Sequence, residues 1–171
     1  GVLYFDVLPA VFLAIALTLL WMLLDASKPH DAVLGRVPGM GGFHNISDYP
    51  DAVTEPGLLM YRFDGNIMFF NIDYLKERIF SEISASATPV EQVVVDAGPV
   101  NFVDITGLKG LLDLREELAG RGIRLSFARV KQSIWKFYNT HWVTSHPQSG
   151  TNPRYATLTE ALETFTRREK T

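Results

Sequence analysis

Residues 91–130 read EQVVVDAGPVNFVDITGLKGLLDLREELAGRGIRLSFARV. Val93, Val94 and Val95 are β-branched, consecutive and closed by Asp96. An apolar run without polar alternation predicts a strand buried on both faces. The loop GPVNFV at 98–103 follows, and Asp104-Ile105-Thr106-Gly107 opens a helix. Either Asp104 or Thr106 can accept from the free backbone N–H groups at that start. Leu108, Leu111, Leu112, Leu114 and Leu118 then share one side at helical spacing. Gly120 and Gly122 stop the helix, and residues 123–128 alternate as a further strand. Strand, helix and strand in so short a stretch form a βαβ unit with parallel strands and a right-handed crossover. The Asp104 loop therefore sits at the carboxyl end of a central strand, where open α/β sheets place their sites.

On the amino-terminal side, residues 58–63 and 67–70 are apolar runs separated by Asp64-Gly65-Asn66. Asp-Gly between two such runs predicts a β-hairpin. Asn71 then caps an amphipathic helix with Ile72, Leu75, Ile79 and Ile83 on one face. On the carboxyl side, residues 131–139 read as a helix with Ile134, Phe137 and Tyr138 inward, and residues 145–154 as a polar loop. Tyr155-Ala156 is a short edge strand. Thr157-Leu158-Thr159-Glu160 is a capping box ahead of a last helix whose face is Leu158, Ala161, Leu162 and Phe165.

Residues 7–24, VLPAVFLAIALTLLWMLL, contain one polar side chain, Thr18, between Asp6 and Asp25. That length reaches the lower end of what spans a bilayer. A secretory signal needs a basic start and a small-residue cleavage site, which this run lacks. A buried soluble helix that is apolar all round needs cover on every side. A membrane helix is the reading that fits. Pro9 falls in its first turn, Trp21 suits an interfacial ring, and Lys28, His30 and Arg36 follow it, which places the later residues in the cytoplasm. Residues 27–56 form a connector with a short strand at Ala32-Val33-Leu34, and Phe43, Ile46 and Tyr49 are expected to dock it on the domain. The expected division is a membrane segment at 1–26, linker and first strand at 27–56, and an α/β domain at 57–171.

The chain of 171 residues carries 16 Lys and Arg against 19 Asp and Glu. A net charge of -3 gives no reason to expect nucleic acid as a partner. It has no cysteine, which excludes disulfides, thiol nucleophiles and Cys-based zinc sites. Its first residue is not Met, so a longer parent protein is expected. The glycines at 39, 41 and 42 fit neither a Walker loop nor GxGxxG and read as linker.

The order of these features resembles a known family. An apolar helix, then SKPHDAVLGRVPG, then LLMYRFDGNIMFFN, then VVVDAGPVNFVDITGLKGLLDLREELAGRGIRL is similar to the carboxyl end of the sulfate permease (SulP) family of anion transporters. That end comprises the last transmembrane helix and a cytoplasmic STAS domain. The resemblance is carried most specifically by His30-Asp31-Ala32-Val33-Leu34-Gly35-Arg36 and by Asp104-Ile105-Thr106-Gly107-Leu108. It implies an α/β STAS-like mixed sheet, mostly parallel at its centre, with a loop-to-helix surface used for regulation. In the small anti-sigma-factor antagonists of the same domain family, a serine directly after the motif's aspartate is phosphorylated. Here that position is Ile105, which has no hydroxyl, while Thr106 follows with one.

Asp96 and Asp104 are the acids near the strand end, and paired carboxylates can do acid–base work or hold a metal. The plainer reading is preferred, because no nucleophile or third ligand is visible beside them: Asp104 caps the helix and Asp96 accepts from the loop. His30, His44, His141 and His146 are scattered without an HExxH pattern. Trp135, Phe137, Tyr138 and Trp142 form an aromatic group that a helix face explains, and Arg115 falls within the apolar arc of its helix. The expected function is a non-catalytic regulatory or assembly module of a secondary anion transporter, integral to the cell membrane and needing no cofactor. The alternative is a membrane-tethered interaction switch. The expected interaction site is Asp96, Asp104, Ile105, Thr106, Gly107 and Leu108. The expected partners are the membrane-embedded transporter core, a cytosolic regulatory protein, a second copy of the chain, and the bilayer through residues 7–24.

Overall fold

The computed structural model describes residues 2–145 and 154–169. The polar loop expected at 145–154, with His146, therefore lies outside the described residues apart from its two ends, as does the side chain of Trp142. The elements run in the order α1 (Val2–Ser27), β1 (Asp31–Gly35), β2 (His44–Asn45), β3 (Leu58–Phe63), α2 (Ile72–Ala85), β4 (Gln92–Asp96), α3 (Ile105–Gly120), β5 (Arg124–Ala128), α4 (Gln132–Ser145), β6 (Arg154–Tyr155) and α5 (Leu158–Glu169).

The strands form one mixed sheet in the order β2-β1-β3-β4-β5-β6. β3, β4, β5 and β6 are parallel, and β1 is antiparallel to both β3 and β2. β4 lies in the centre, and Val93, Val94 and Val95 are fully buried. Each valine so buried contributes on the order of 1.5–3 kcal/mol of transfer free energy, which is why the run tolerates no polar residue. Side-chain alternation splits the core into two layers. Leu59, Tyr61, Phe63, Val93, Val95, Leu125 and Phe127 face α2, α3 and α4. Ala32, Leu34, Leu58, Met60, Val94 and Ala128 face α5 through Leu158, Ala161, Leu162 and Phe165.

α3 ends as its glycines require. Gly122 takes φ 75°, a left-handed conformation, while Gly122 N–H donates to Ala119 and Ile123 N–H to Leu118. At α5 the Thr157 hydroxyl accepts the Glu160 N–H at 3.1 Å, and the Glu160 carboxylate accepts from Ala156 N–H at 2.7 Å. Arg115 is half-buried beside the Tyr138 hydroxyl, and desolvation holds its guanidinium below the usual arginine range.

The expected hairpin does not form. β3 is present, but residues 69–71 are a turn, and Ile67 makes a single parallel bridge to Val103. The edge of β3 is taken by β1, with Ala32 opposite Arg62 and Asp31 opposite Phe63. Asp64 N–H donates to the His30 carbonyl, and its carboxylate lies 3.0 Å from both His30 Nδ1 and Arg62 Nε. Gly65 is not in the left-handed region. A side chain there would meet Pro29 at 2.8 Å, so it is glycine because the incoming chain presses on it.

Residues 7–24 of α1 are apolar apart from Thr18, and residues 7–26 are exposed on every side. It is long and apolar enough to cross a membrane. Its last turn is joined to the domain by the Asn71 amide, which donates to the Ala26 carbonyl at 3.3 Å and to the Asn66 carbonyl at 2.9 Å. Asn71 occupies the N-cap position of α2, yet its side chain does not cap. Its carbonyl oxygen accepts from Met68 N–H at 2.8 Å instead.

Candidate functional site

Where β4 ends, the Asp96 side chain is 1% exposed. One carboxylate oxygen accepts from Gly98 N–H at 3.2 Å and Arg129 Nε at 2.7 Å, and the other from Arg129 Nη2 at 2.5 Å. Arg129 follows β5 with φ 57°, an unfavourable region for a side chain of its kind. The two-pronged ion pair and the Arg129 N–H bond to the Tyr155 carbonyl hold it there. The same pairing raises the Arg129 guanidinium above the usual range. Asp96 thus does accept from the loop, as expected, but its main partner comes from the next strand.

The loop after Asp96 returns along the segment that follows β3. Ile67 N–H donates to Phe102 at 3.0 Å and Asp104 N–H to Ile67 at 3.1 Å, with Val100 and Val103 buried beneath. The Asn66 side-chain oxygen, Oδ1, accepts from the N–H groups of Asn101 and Phe102, and Lys131 Nζ donates to the Asn101 side chain. Asp104 is the N-cap of α3. One of its oxygens accepts from Gly107 N–H at 2.6 Å and the other from Phe69 N–H at 2.9 Å. One carboxylate therefore starts the helix and pins the neighbouring loop to it.

The six residues singled out from the sequence divide by environment. Gly107 is buried, and a Cβ on it would lie 2.6 Å from the Ile67 carbonyl oxygen, so the helix start can approach the segment that follows β3 only with glycine. Leu108 belongs to the core, and Asp96 and Asp104 are engaged by N–H donors. Thr106 is exposed, and because Asp104 caps, its hydroxyl is not required there. Ile105 is 50% exposed and does not plug the core. The site presents an exposed branched apolar side chain and a hydroxyl on a rigid helix start, a chemistry suited to recognition.

A second constellation was not visible in the sequence. Asp31, at the start of β1, has a side chain 9% exposed that accepts from Tyr61 OH at 2.8 Å, Tyr74 OH at 3.0 Å and Arg78 Nε at 2.8 Å. Arg78 also reaches Glu82 at 2.6 Å. Burial first, then the bond to Asp31, raises both tyrosine hydroxyls above their ordinary range. The network ties β1, the strand that follows α1, to β3 and α2. Its partners lie 30, 43 and 47 positions away in sequence, so no local spacing announces it.

The STAS domain family model matches residues 49–140. A probable sulfate transporter of Mycobacterium tuberculosis (strain H37Rv) is 37% identical over 168 residues, which cover 98% of this chain and 30% of the relative. The fold aligns with murine Solute Carrier 26 family member A9, an anion transporter solved in its inward-facing state, at TM-score 0.79 and 14% identity over 92% of this chain and 25% of that one. It also aligns with the SulP transporter STAS domain of Vibrio cholerae at TM-score 0.51 and 15% identity over 74% of this chain and 94% of that one. The chain spans about 30% of the length of the curated relative that it matches. On the family match this chain belongs to the STAS domain family, and it is similar over nearly its whole length to part of a probable sulfate transporter.

Proposed function

We propose that this chain is the cytoplasmic regulatory and assembly module of a secondary anion transporter of the sulfate type, and that it works by contact rather than catalysis. The observation that carries this is the joint between helix and domain. Residues 7–24 of α1 are apolar apart from Thr18 and uncovered on all sides, yet the Asn71 amide holds the last turn of the helix to an α/β domain. A helix so exposed needs lipid or other membrane helices around it. The cytoplasmic side is favoured by Lys28, His30 and Arg36 after the helix.

Within this reading, Ile105 and Thr106 form the protein-contact surface of the module, with Asp96, Asp104, Gly107 and Leu108 as its rigid backing. The contact is with the membrane-embedded core, a cytosolic regulatory protein or a second copy. The alternative, a phosphorylation-driven switch, draws support from Thr106, whose exposed hydroxyl the helix cap leaves available.

Sulfate uptake tests the main reading. Vesicles holding the whole parent protein should show saturable flux that changes when residues 28–171 are deleted, and this chain alone should show none. Transport sites of such proteins lie between helices from two repeats, which one helix cannot build. Saturable flux from this chain alone, or unaltered flux and assembly after the deletion, overturns the proposal.

A further inference from the structure

The domain meets α1 at the edge of the sheet where β3 and β4 end and β1 begins. Asn71 joins the Ala26 carbonyl to the Met68 N–H, so the sequence Met68-Phe69-Phe70 is held beside the last turn of α1. Met68 and Phe70 line one open cleft with Asp25 and Lys28. Phe69, between them, is 60% exposed, and Phe102, on the adjoining segment, is 52% exposed. Outside α1, the exposed large apolar side chains among the described residues are Met40, Val53, Phe69, Phe102 and Ile105, and the last three belong to backbone segments that meet at Asp104. Water-facing phenylalanines in a cluster mark a surface that something covers.

The cover follows from position and charge. A helix that crosses a bilayer leaves its hydrocarbon core near the last apolar residue, here Leu24, so the 68–70 segment beside Ala26 lies at the depth of the headgroups. Lys28 and Lys131 are exposed at this edge, Lys131 being held to the loop through Asn101. Of the nearby acids, Asp104 is occupied by two backbone N–H groups, Asp64 is paired with His30 and Arg62, and Asp25 stands in the last turns of α1 beside Lys28. Aromatic rings flanked by lysines suit the boundary between acyl chains and anionic headgroups.

We propose that Phe69 and Phe102 rest in the interfacial layer of the leaflet from which α1 emerges, with Lys28 and Lys131 on anionic phospholipid headgroups. The domain is then attached to the bilayer at two places, α1 and this edge, and its orientation to the membrane is fixed. The inference rests on α1 crossing the bilayer. It does not depend on a protein contact at Ile105.

The chain has no cysteine, so single cysteines can carry a fluorophore. Phe69→Cys, Phe102→Cys, Leu13→Cys within α1 and Ala119→Cys at the far end of α3 would be labelled in the whole chain. Each would be reconstituted in phosphatidylcholine–phosphatidylglycerol vesicles containing lipids with a quencher near the headgroup or, for Leu13→Cys, lipids with a quencher deep on the acyl chain. Labels at 69 and 102 should be quenched several-fold more than the label at 119, and less so after Lys28→Gln with Lys131→Gln. Equal quenching at 69, 102 and 119 while Leu13→Cys shows insertion overturns the lipid contact and leaves the membrane helix standing. If the label at 13 is also unquenched, the membrane reading of α1 falls and this inference with it. Labels at 69 and 102 that lipid quenches in this chain, but that the whole parent protein shields, assign the edge to protein and overturn the proposal.

Discussion

Replacing Asp31 by alanine removes the acceptor shared by Tyr61, Tyr74 and Arg78. Tyr61 is fully buried, so its hydroxyl loses its partner where water cannot replace it, at a cost of about 1–3 kcal/mol. Tyr74 is half-buried and loses an ordinary hydrogen bond, worth about 0.5–1.5 kcal/mol. Arg78 is 35% exposed and keeps Glu82, so screening by water leaves it a small share. The expected loss is about 2–4 kcal/mol. With a urea slope of about 2 kcal/mol per molar, the midpoint falls by about 1–2 M. The assay is urea unfolding of residues 28–171 followed by circular dichroism. Tyr61→Phe in the same fragment completes a double-mutant cycle. Alone it should cost about 1 kcal/mol. Beside Asp31→Ala it should cost nothing and recover part of the loss, because it removes a buried hydroxyl that no longer has a partner. A loss below about 1 kcal/mol for Asp31→Ala, or single losses that add in the double variant, would refute the network as a joint.

The same tyrosines make an alkaline prediction. Burial and the bond to Asp31 keep the Tyr61 proton on in the folded state to higher pH than in the unfolded chain. Its contribution is complete below the unfolded value of about 10 and is lost as pH rises above it, at about 1.4 kcal/mol per pH unit. Tyr74 is raised for the same causes and adds in the same direction. Tyr61→Phe should therefore flatten the alkaline fall in stability relative to the unaltered fragment. Parallel curves for the two above pH of about 10 would contradict the assignment.

Residues 28–171 should be folded and soluble without detergent by circular dichroism and sedimentation, since both core layers lie beyond α1, while the whole chain should need detergent. Gly107→Ala should cost about 1–3 kcal/mol in a thermal melt, because its Cβ would press on the Ile67 carbonyl. Thr106→Ala should stay within about 0.5 kcal/mol of the original, since the cap is Asp104; a loss near 1 kcal/mol would return the cap to Thr106. Ile105→Glu should melt like the original and bind the transporter core more weakly; undiminished binding by a folded variant would remove Ile105 from the contact surface.

The β4–α3–β5 unit was legible because each of its signals is local. Three valines, a capping acid, leucines at helical spacing and a stopping glycine all act within one or two turns of themselves. The hairpin shows where that ends. Asp64-Gly65 has the composition of a tight turn, but the pairing edge of β3 had already been taken by a strand from 30 residues upstream. Gly65 then serves close contact with Pro29, a use of glycine that composition cannot separate from a turn. Asn71 was read correctly by position and wrongly by chemistry. It stands at a helix start, yet its amide spans to α1 and its oxygen to Met68.

The site follows the same division. Asp104 announces itself because its partner, Gly107 N–H, is three residues away, whereas its second partner, Phe69 N–H, is 35 residues away and was invisible. Asp96 reads as a loop acceptor through Gly98, and its stronger bond to Arg129 crosses 33 residues. Asp31 has only distant partners and was therefore missed as a centre, although it stood inside a motif that carried the family resemblance. The motif and the network have one physical origin. The strand that follows α1 must be seated on the edge of β3, and an acid at its first residue, facing two tyrosines and an arginine, seats it in one register.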